Sequence, residues 1–173
     1  MRTEHPSVKC YTMGTDKQLF EQLNKLRGYK TLIVGVGNIL KGDDGAGPLV
    51  CQQLTGKVCA DLIDAGTVPE NYIQPIIKKA PQNLLIIDAV DFGASPGAIS
   101  IFKPEQLKSF VFSTHTLSPH LFVDMIRSEL KVDVYLVGIQ PAQIGLGESI
   151  SAQVSRAVQW LTRALTEIFA LRQ

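Results

Sequence analysis

TLIVGVGNILKGDDGAGP, residues 31–48, runs an apolar strand-forming segment into a glycine-punctuated loop that carries two adjacent aspartates. A buried strand followed by such a loop has the outline of a nucleotide cradle. The spacing excludes a dinucleotide fingerprint, because after Gly35 and Gly37 the third glycine of G-x-G-x-x-G falls on Leu40. Lys41 is followed by Gly42, so a P-loop lacks its Ser or Thr as well. A phosphate here would face Asp43 and Asp44 and be repelled. The loop suits a cation better than an anion.

Working outward, strand and helix patterns alternate. KTLIVGV (30–36), VCADLID (58–64), NLLIIDAV (83–90) and VDVYLVGIQP (132–141) read as strands. GPLVCQQL (47–54), NYIQPIIKKA (71–80), SPHLFVDMIRSEL (118–130) and a long segment from about Ser151 read as helices. This alternation predicts an α/β fold, a parallel sheet with helices on both faces. AISIF (98–102) follows the third strand too closely for a crossover helix and is expected to be an antiparallel edge strand. In the fourth helix Ser118 is the expected cap, Pro119 the first residue, and Leu121, Phe122, Met125 and Ile126 the core face. The last helix presents Val154, Ala157, Val158, Leu161, Leu165 and Ile168 at helical spacing. Residues 1–28 form an N-terminal extension with a short helix, and residues 29–173 a single domain.

The chain has 173 residues, 45% hydrophobic and 19% charged, with 17 Lys and Arg against 16 Asp and Glu. This is ordinary globular composition, and the scattered charge predicts neither a nucleic-acid nor a membrane surface. Cys10, Cys51 and Cys59 show no C-x-x-C spacing, so neither a disulfide framework nor a thiolate zinc site is expected. No signal peptide or membrane-spanning run is apparent, and the expected setting is cytoplasmic.

A second carboxylate cluster ends the third strand, where Asp88 and Asp91 follow LLII. Ligands of open α/β sheets collect at the carboxyl ends of strands. If the first and third strands are neighbours, Asp44 and Asp88 face one crevice. Helix capping is the competing explanation, stronger for Asp43 than for Asp44, and a turn is that for Asp88. Two carboxylates and an imidazole would suit zinc or nickel, with His115 in the polar loop FSTHTLS and His120 at a helix start competing for the third place. GASPG (93–97) matches G-x-S-x-G, but Pro96 has no N–H for an oxyanion hole and a strand, not a helix, is expected next.

Five motifs in order, GVGNILKGDDGAGPLV (35–50), DAGTVPEN (64–71), LLIIDAVDFGASPG (84–97), STHT (113–116) and GIQP (138–141), give a family likeness over residues 30–170. The chain resembles the hydrogenase maturation endopeptidases, and most closely the branch that processes formate hydrogenlyase-type nickel-iron hydrogenases. The resemblance implies a three-layer α/β/α sandwich with a mostly parallel five-stranded sheet. It implies an endopeptidase, of a family classed as aspartyl-type, that removes the C-terminal extension of a hydrogenase large-subunit precursor after nickel insertion. Motif by motif it assigns Asp44, where many relatives carry glutamate, Asp88 and His115 as catalytic and metal-ligating residues.

Asp43, Asp64, Gly42 and Asn38 are expected around them, contacting the ligands or the substrate, with the glycines letting a bulky substrate approach the backbone. Nickel is expected to arrive with the substrate, with no organic cofactor and a monomeric protease. The competing classes are a zinc-dependent aminopeptidase or amidase holding its own metal, and a non-enzymatic nickel or hydrogenase assembly factor.

Overall fold

The first strand, β1 (Thr31–Val36), is buried at every position, which requires cover on both of its faces. The computed structural model describes residues 16–109, 111–112 and 119–171, and it supplies that cover from two sets of helices. Besides β1 the elements are α1 (Asp16–Asn24), α2 (Ala46–Leu54), β2 (Asp61–Gly66), α3 (Ile73–Lys79), β3 (Asn83–Asp91) and β4 (Ile99–Phe102). There follow β5 (Val111–Phe112), α4 (Pro119–Glu129), β6 (Asp133–Ile139) and α5 (Ala152–Ile168).

The main sheet runs β2-β1-β3-β6-β4. Strands β2, β1, β3 and β6 are parallel, and β4 closes the edge antiparallel to β6, from Ile99 opposite Ile139 to Phe102 opposite Leu136. The expected five-stranded sheet with its antiparallel edge is therefore present. The sequence did not signal β5, whose two residues pair antiparallel with Val90 and Asp91 at the end of β3.

Period-two alternation divides the core. Ile33, Leu85, Ile87 and Val137 point to the face covered by α2 and α5. Leu32, Val34, Leu84, Ile86 and Leu136 point to the opposite face, where Ile76 of α3 and Ile126 of α4 meet them. These two layers flanking the sheet make the α/β/α sandwich. On α5 the six residues expected to face inward are all buried, and Ser151 caps the helix by accepting the Val154 N–H at 3.3 Å. Helix α1 lies on α5, and Leu23, with Leu26 just beyond the helix, joins the α2–α5 core.

Helix α4 departs from expectation on one side. Phe122, Val123 and Ile126 are buried, whereas Leu121 and Met125 are exposed. The inward stripe follows the 122–126 line, and the residue before each of these lies about 100° round the helix, outside the contact. Ser118 and His115 lie outside the described residues, as do residues 1–15. The GASPG segment closes a turn in which Ala98 N–H donates to the Ser95 carbonyl, and β4 follows it. The strand–turn–helix context of a nucleophile elbow is not there. No helix among the described residues is long and apolar enough to cross a membrane.

Candidate active site

The chain leaves β1 through Gly37, whose φ of 134° is open only to glycine and whose N–H donates to the Gly66 carbonyl. Asn38 then turns it: its side-chain oxygen accepts the Leu40 N–H and its carbonyl the Lys41 N–H. A single 3-10 turn, Gly42–Gly45, carries both aspartates into α2, and all four of its residues are buried.

The two aspartates do different things. Asp44 Oδ2 accepts the Asn38 N–H at 2.9 Å, which fixes its carboxylate against the turn leaving β1. Asp43 faces the other way. Its Oδ2 accepts the N–H groups of Ala142 and Gln143 at 2.8 and 3.0 Å, and its Oδ1 accepts that of Ser151 at 2.6 Å. A buried charge is tolerated when such hydrogen bonds replace its hydration. Neither aspartate caps the 3-10 turn or α2 through its side chain.

Asp43 and Gly42, expected to support the ligands or contact the substrate, are both buried within the protein. Asp43 is wholly enclosed, with its carboxylate spent on the segment after β6. Gly42 is buried with φ of 54°, and a Cβ there would stand 2.9 Å from the Gln143 carbonyl. Gly35 and Gly47 also serve close internal contact. A Cβ on Gly47 would overlap the carbonyls of Ile87 and Val36, and one on Gly35 the carbonyl of Gly47. Helix α2 thus starts directly on the carboxyl ends of β1 and β3.

That close approach also locates Asp88, the residue after Ile87. It sits in β3 opposite Gly138 of β6 and is 3% exposed. Strands β1 and β3 are neighbours, with Gly35 opposite Ile87, and the turn bearing Asp44 packs on β3. The turn that bears Asp44 and the strand that bears Asp88 are thus neighbours toward the carboxyl end of the sheet, the region where α/β folds hold ligands, and both carboxylates are buried there. Asp64 is exposed at the end of β2, and its carboxylate accepts the Gly66 N–H at 3.1 Å, a turn-making role. His120 Nδ1 lies 2.8 Å from Asp124 Oδ2, one turn along α4. Among the described residues no group of three or more His, Cys, Asp and Glu side chains is placed to hold a metal ion. The expected third ligand, His115, lies outside those residues.

Two contributors went unnoticed in the sequence. Gln140, 6% exposed, accepts the N–H groups of Phe92 and Ala94 on Oε1 and donates through Nε2 to Asp91 Oδ1. It secures the chain leaving β3 just beyond Asp88, and its one signal was its place in GIQP directly after a strand. The segment 141–150 is the other, since its glycine-containing sequence without periodicity reads simply as a connection. Beneath the site, burial pushes the Cys51 thiol up to about 12, with the Asp64 charge adding and a Gly35 backbone hydrogen bond opposing.

The hydrogenase maturation protease family HycI matches residues 51–168. This chain belongs to that family. Hydrogenase 3 maturation protease of Escherichia coli K12 is 33% identical over 137 residues, 78% of this chain and 87% of the relative. The crystal structure of the NiFe hydrogenase maturation protease HycI from Thermococcus kodakarensis KOD1 is similar with a TM-score of 0.78 at 30% identity, covering 85% of this chain and 97% of that one. The solution structure of the endopeptidase HycI from Escherichia coli gives 0.73 at 32% identity, covering 80% and 90%. As a hydrogenase maturation protease the chain is an enzyme of the endopeptidase kind, as the ordered motifs implied.

Proposed function

We propose that this protein removes the C-terminal extension of a nickel-iron hydrogenase large-subunit precursor after nickel insertion, as the last step of that subunit's maturation. The observation that carries the proposal is the match of residues 51–168 to this protease family, supported by the adjacency of β1, which leads to the turn of Asp44, and β3, which holds Asp88. Two carboxylates favour a hard or borderline cation. His115, from the STHT motif, would add a nitrogen ligand. The nickel is part of the substrate, so the protease needs only an incomplete set of ligands and the precursor supplies the rest.

A divalent ion held between the two proteins can polarise the scissile carbonyl or lower the pKa of a bound water. The chain's own residues orient the encounter. Asn38 N–H holds the Asp44 carboxylate, and Gln140 holds the chain that leaves Asp88. Nickel gating, a cytoplasmic setting and a monomeric protease working without nucleic acid or membrane are parts of this proposal. Family membership favours a protease over the assembly factor, and no observation favours the zinc aminopeptidase or amidase.

The test is to mix the protein with nickel-loaded and nickel-free precursor and weigh the products. Shortening of the loaded precursor alone is the expected result. Equal cleavage of both would overturn the gating, and cleavage of neither would overturn the assigned substrate.

A further inference from the structure

The segment after β6 is stitched to the turn after β1. Asp43 N–H donates to the Gln143 carbonyl at 2.9 Å, Gly42 N–H to that of Glu148 at 3.1 Å, and Gly147 N–H to that of Leu40 at 2.8 Å. Within the segment, Gln143 Nε2 donates to the Ser149 carbonyl and Gly145 N–H to Glu148 Oε2. The buried Asp43 carboxylate closes the assembly from inside through Ala142, Gln143 and Ser151.

On the outside this fixed backbone holds large apolar side chains in water. Leu146 is 77% exposed, Ile39 66%, Leu40 63% and Ile144 44%. Two loops joined by main-chain bonds and bearing several such side chains make a contiguous apolar patch, the kind of surface a partner covers. The charged residues in residues 38–42 and 142–149 are Lys41 and Glu148, and Glu148 is already engaged on Gly145. The patch therefore fits an apolar peptide better than a charged one. It also adjoins the proposed site along the chain, because Asn38, at the head of the first loop, donates its N–H to Asp44.

We propose that residues 38–41 and 142–149 form a single rim, latched by Asp43, that grips an apolar segment of the hydrogenase large-subunit precursor beside the scissile bond. The inference rests on the substrate assigned above and extends it to specificity. A rim held rigid before binding loses little conformational entropy when the precursor arrives, so the apolar contacts translate into affinity. Asp43 is then a positioning residue: it touches no substrate, and it sets where Ile144 and Leu146 stand relative to Asp44.

The experiment measures the binding of nickel-loaded precursor to immobilised protease, alongside cleavage, for the wild type, Ile144→Ser with Leu146→Ser, Leu146→Met, and Tyr29→Ser as a control at the opposite end of the sheet. Both serine positions are exposed, and equal melting temperatures verify the fold. The double variant should bind about tenfold or more weaker, Leu146→Met should retain affinity, and Tyr29→Ser should match the wild type. Wild-type affinity in the folded double variant would overturn the rim while leaving the assigned substrate intact. Wild type that binds without cutting, together with loss of binding in the double variant, would uphold the rim and overturn the proposed function. Wild type that neither binds nor cuts would overturn both.

Discussion

Asp43 Oδ1 and the backbone N–H of Ser151 lie 2.6 Å apart, although 108 positions separate them in the chain. The contact joins the turn that carries Asp44 to the residue that caps α5. One carboxylate thereby ties the entry of α2, the segment after β6 and the start of the last helix into a single unit. Asp44, its neighbour, bonds instead to Asn38 six residues back. Adjacent aspartates thus hold different segments, Asp43 the chain after β6 and Asp44 the turn after β1.

Replacing each with Asn should separate these roles. In Asp43→Asn an amide N–H replaces one acceptor and opposes a backbone N–H, at a cost of about 3 kcal/mol of stability. Asp44→Asn keeps the shape of the side chain and should cost about 1 kcal/mol, yet reduce processing by about 100-fold. Urea midpoints and precursor cleavage rates check the crossed pattern. A larger stability loss in Asp44→Asn would reverse the assignment.

The close approach of α2 to the sheet makes Gly47 intolerant of any side chain. Gly47→Ala should destabilise by about 3 kcal/mol or more, since the Cβ would overlap the Ile87 and Val36 carbonyls and backbone has to move. Gly56, with φ of 74° and nothing within 4 Å of its Cβ, makes the control. Gly56→Ala should cost only about 1 to 2 kcal/mol of left-handed strain. Comparable losses in the two variants, measured by denaturant unfolding, would count against the packing argument.

Cys51 and Cys59 should differ sharply toward thiol reagents. Cys59 is exposed, while Cys51 is buried with its proton held up to about 12. At neutral pH, labelling followed by peptide mass mapping should find Cys59 modified and Cys51 protected until the protein unfolds. The same shift sets a stability slope. Below the ordinary value of 9.0, folded and unfolded chains both hold the proton. Between 9.0 and about 12 only the unfolded chain releases it, so stability falls as pH rises through that window. Cys51→Ala should flatten this slope in urea midpoints taken across alkaline pH.

His120 is engaged with Asp124 on the surface of α4, an exposed pair worth about 0.3 to 0.5 kcal/mol. His120→Ala should leave processing close to wild type. His115→Ala should lower it by about 100-fold if the motif's histidine serves the crevice. Cleavage assays on the two variants decide it, and the reverse order would move the site to the start of α4.

The alternation of strand and helix, the two buried faces of the sheet and the antiparallel place of β4 were legible in the sequence, because they follow from local periodicity and from connections too short for a crossover. The place of Asp88 was legible only in part: an acid after four apolar residues read as the end of the strand, whereas β3 continues past it to Asp91. What neighbouring residues cannot encode is the partner across the fold. Asp43 and Asp44 read alike as caps or ligands, and only the return of the chain at Ala142, Gln143 and Ser151 shows that the Asp43 carboxylate is held by three backbone donors distant in sequence. The glycines likewise read as room for a substrate until Gly47 is seen against Ile87 and Val36, with the chain's own backbone filling that space. The pairing of β5 and the exposure of Leu121 and Met125 also rested on docking. A two-residue strand has no period of its own, and a helix buries whichever stripe the sheet beneath it accepts.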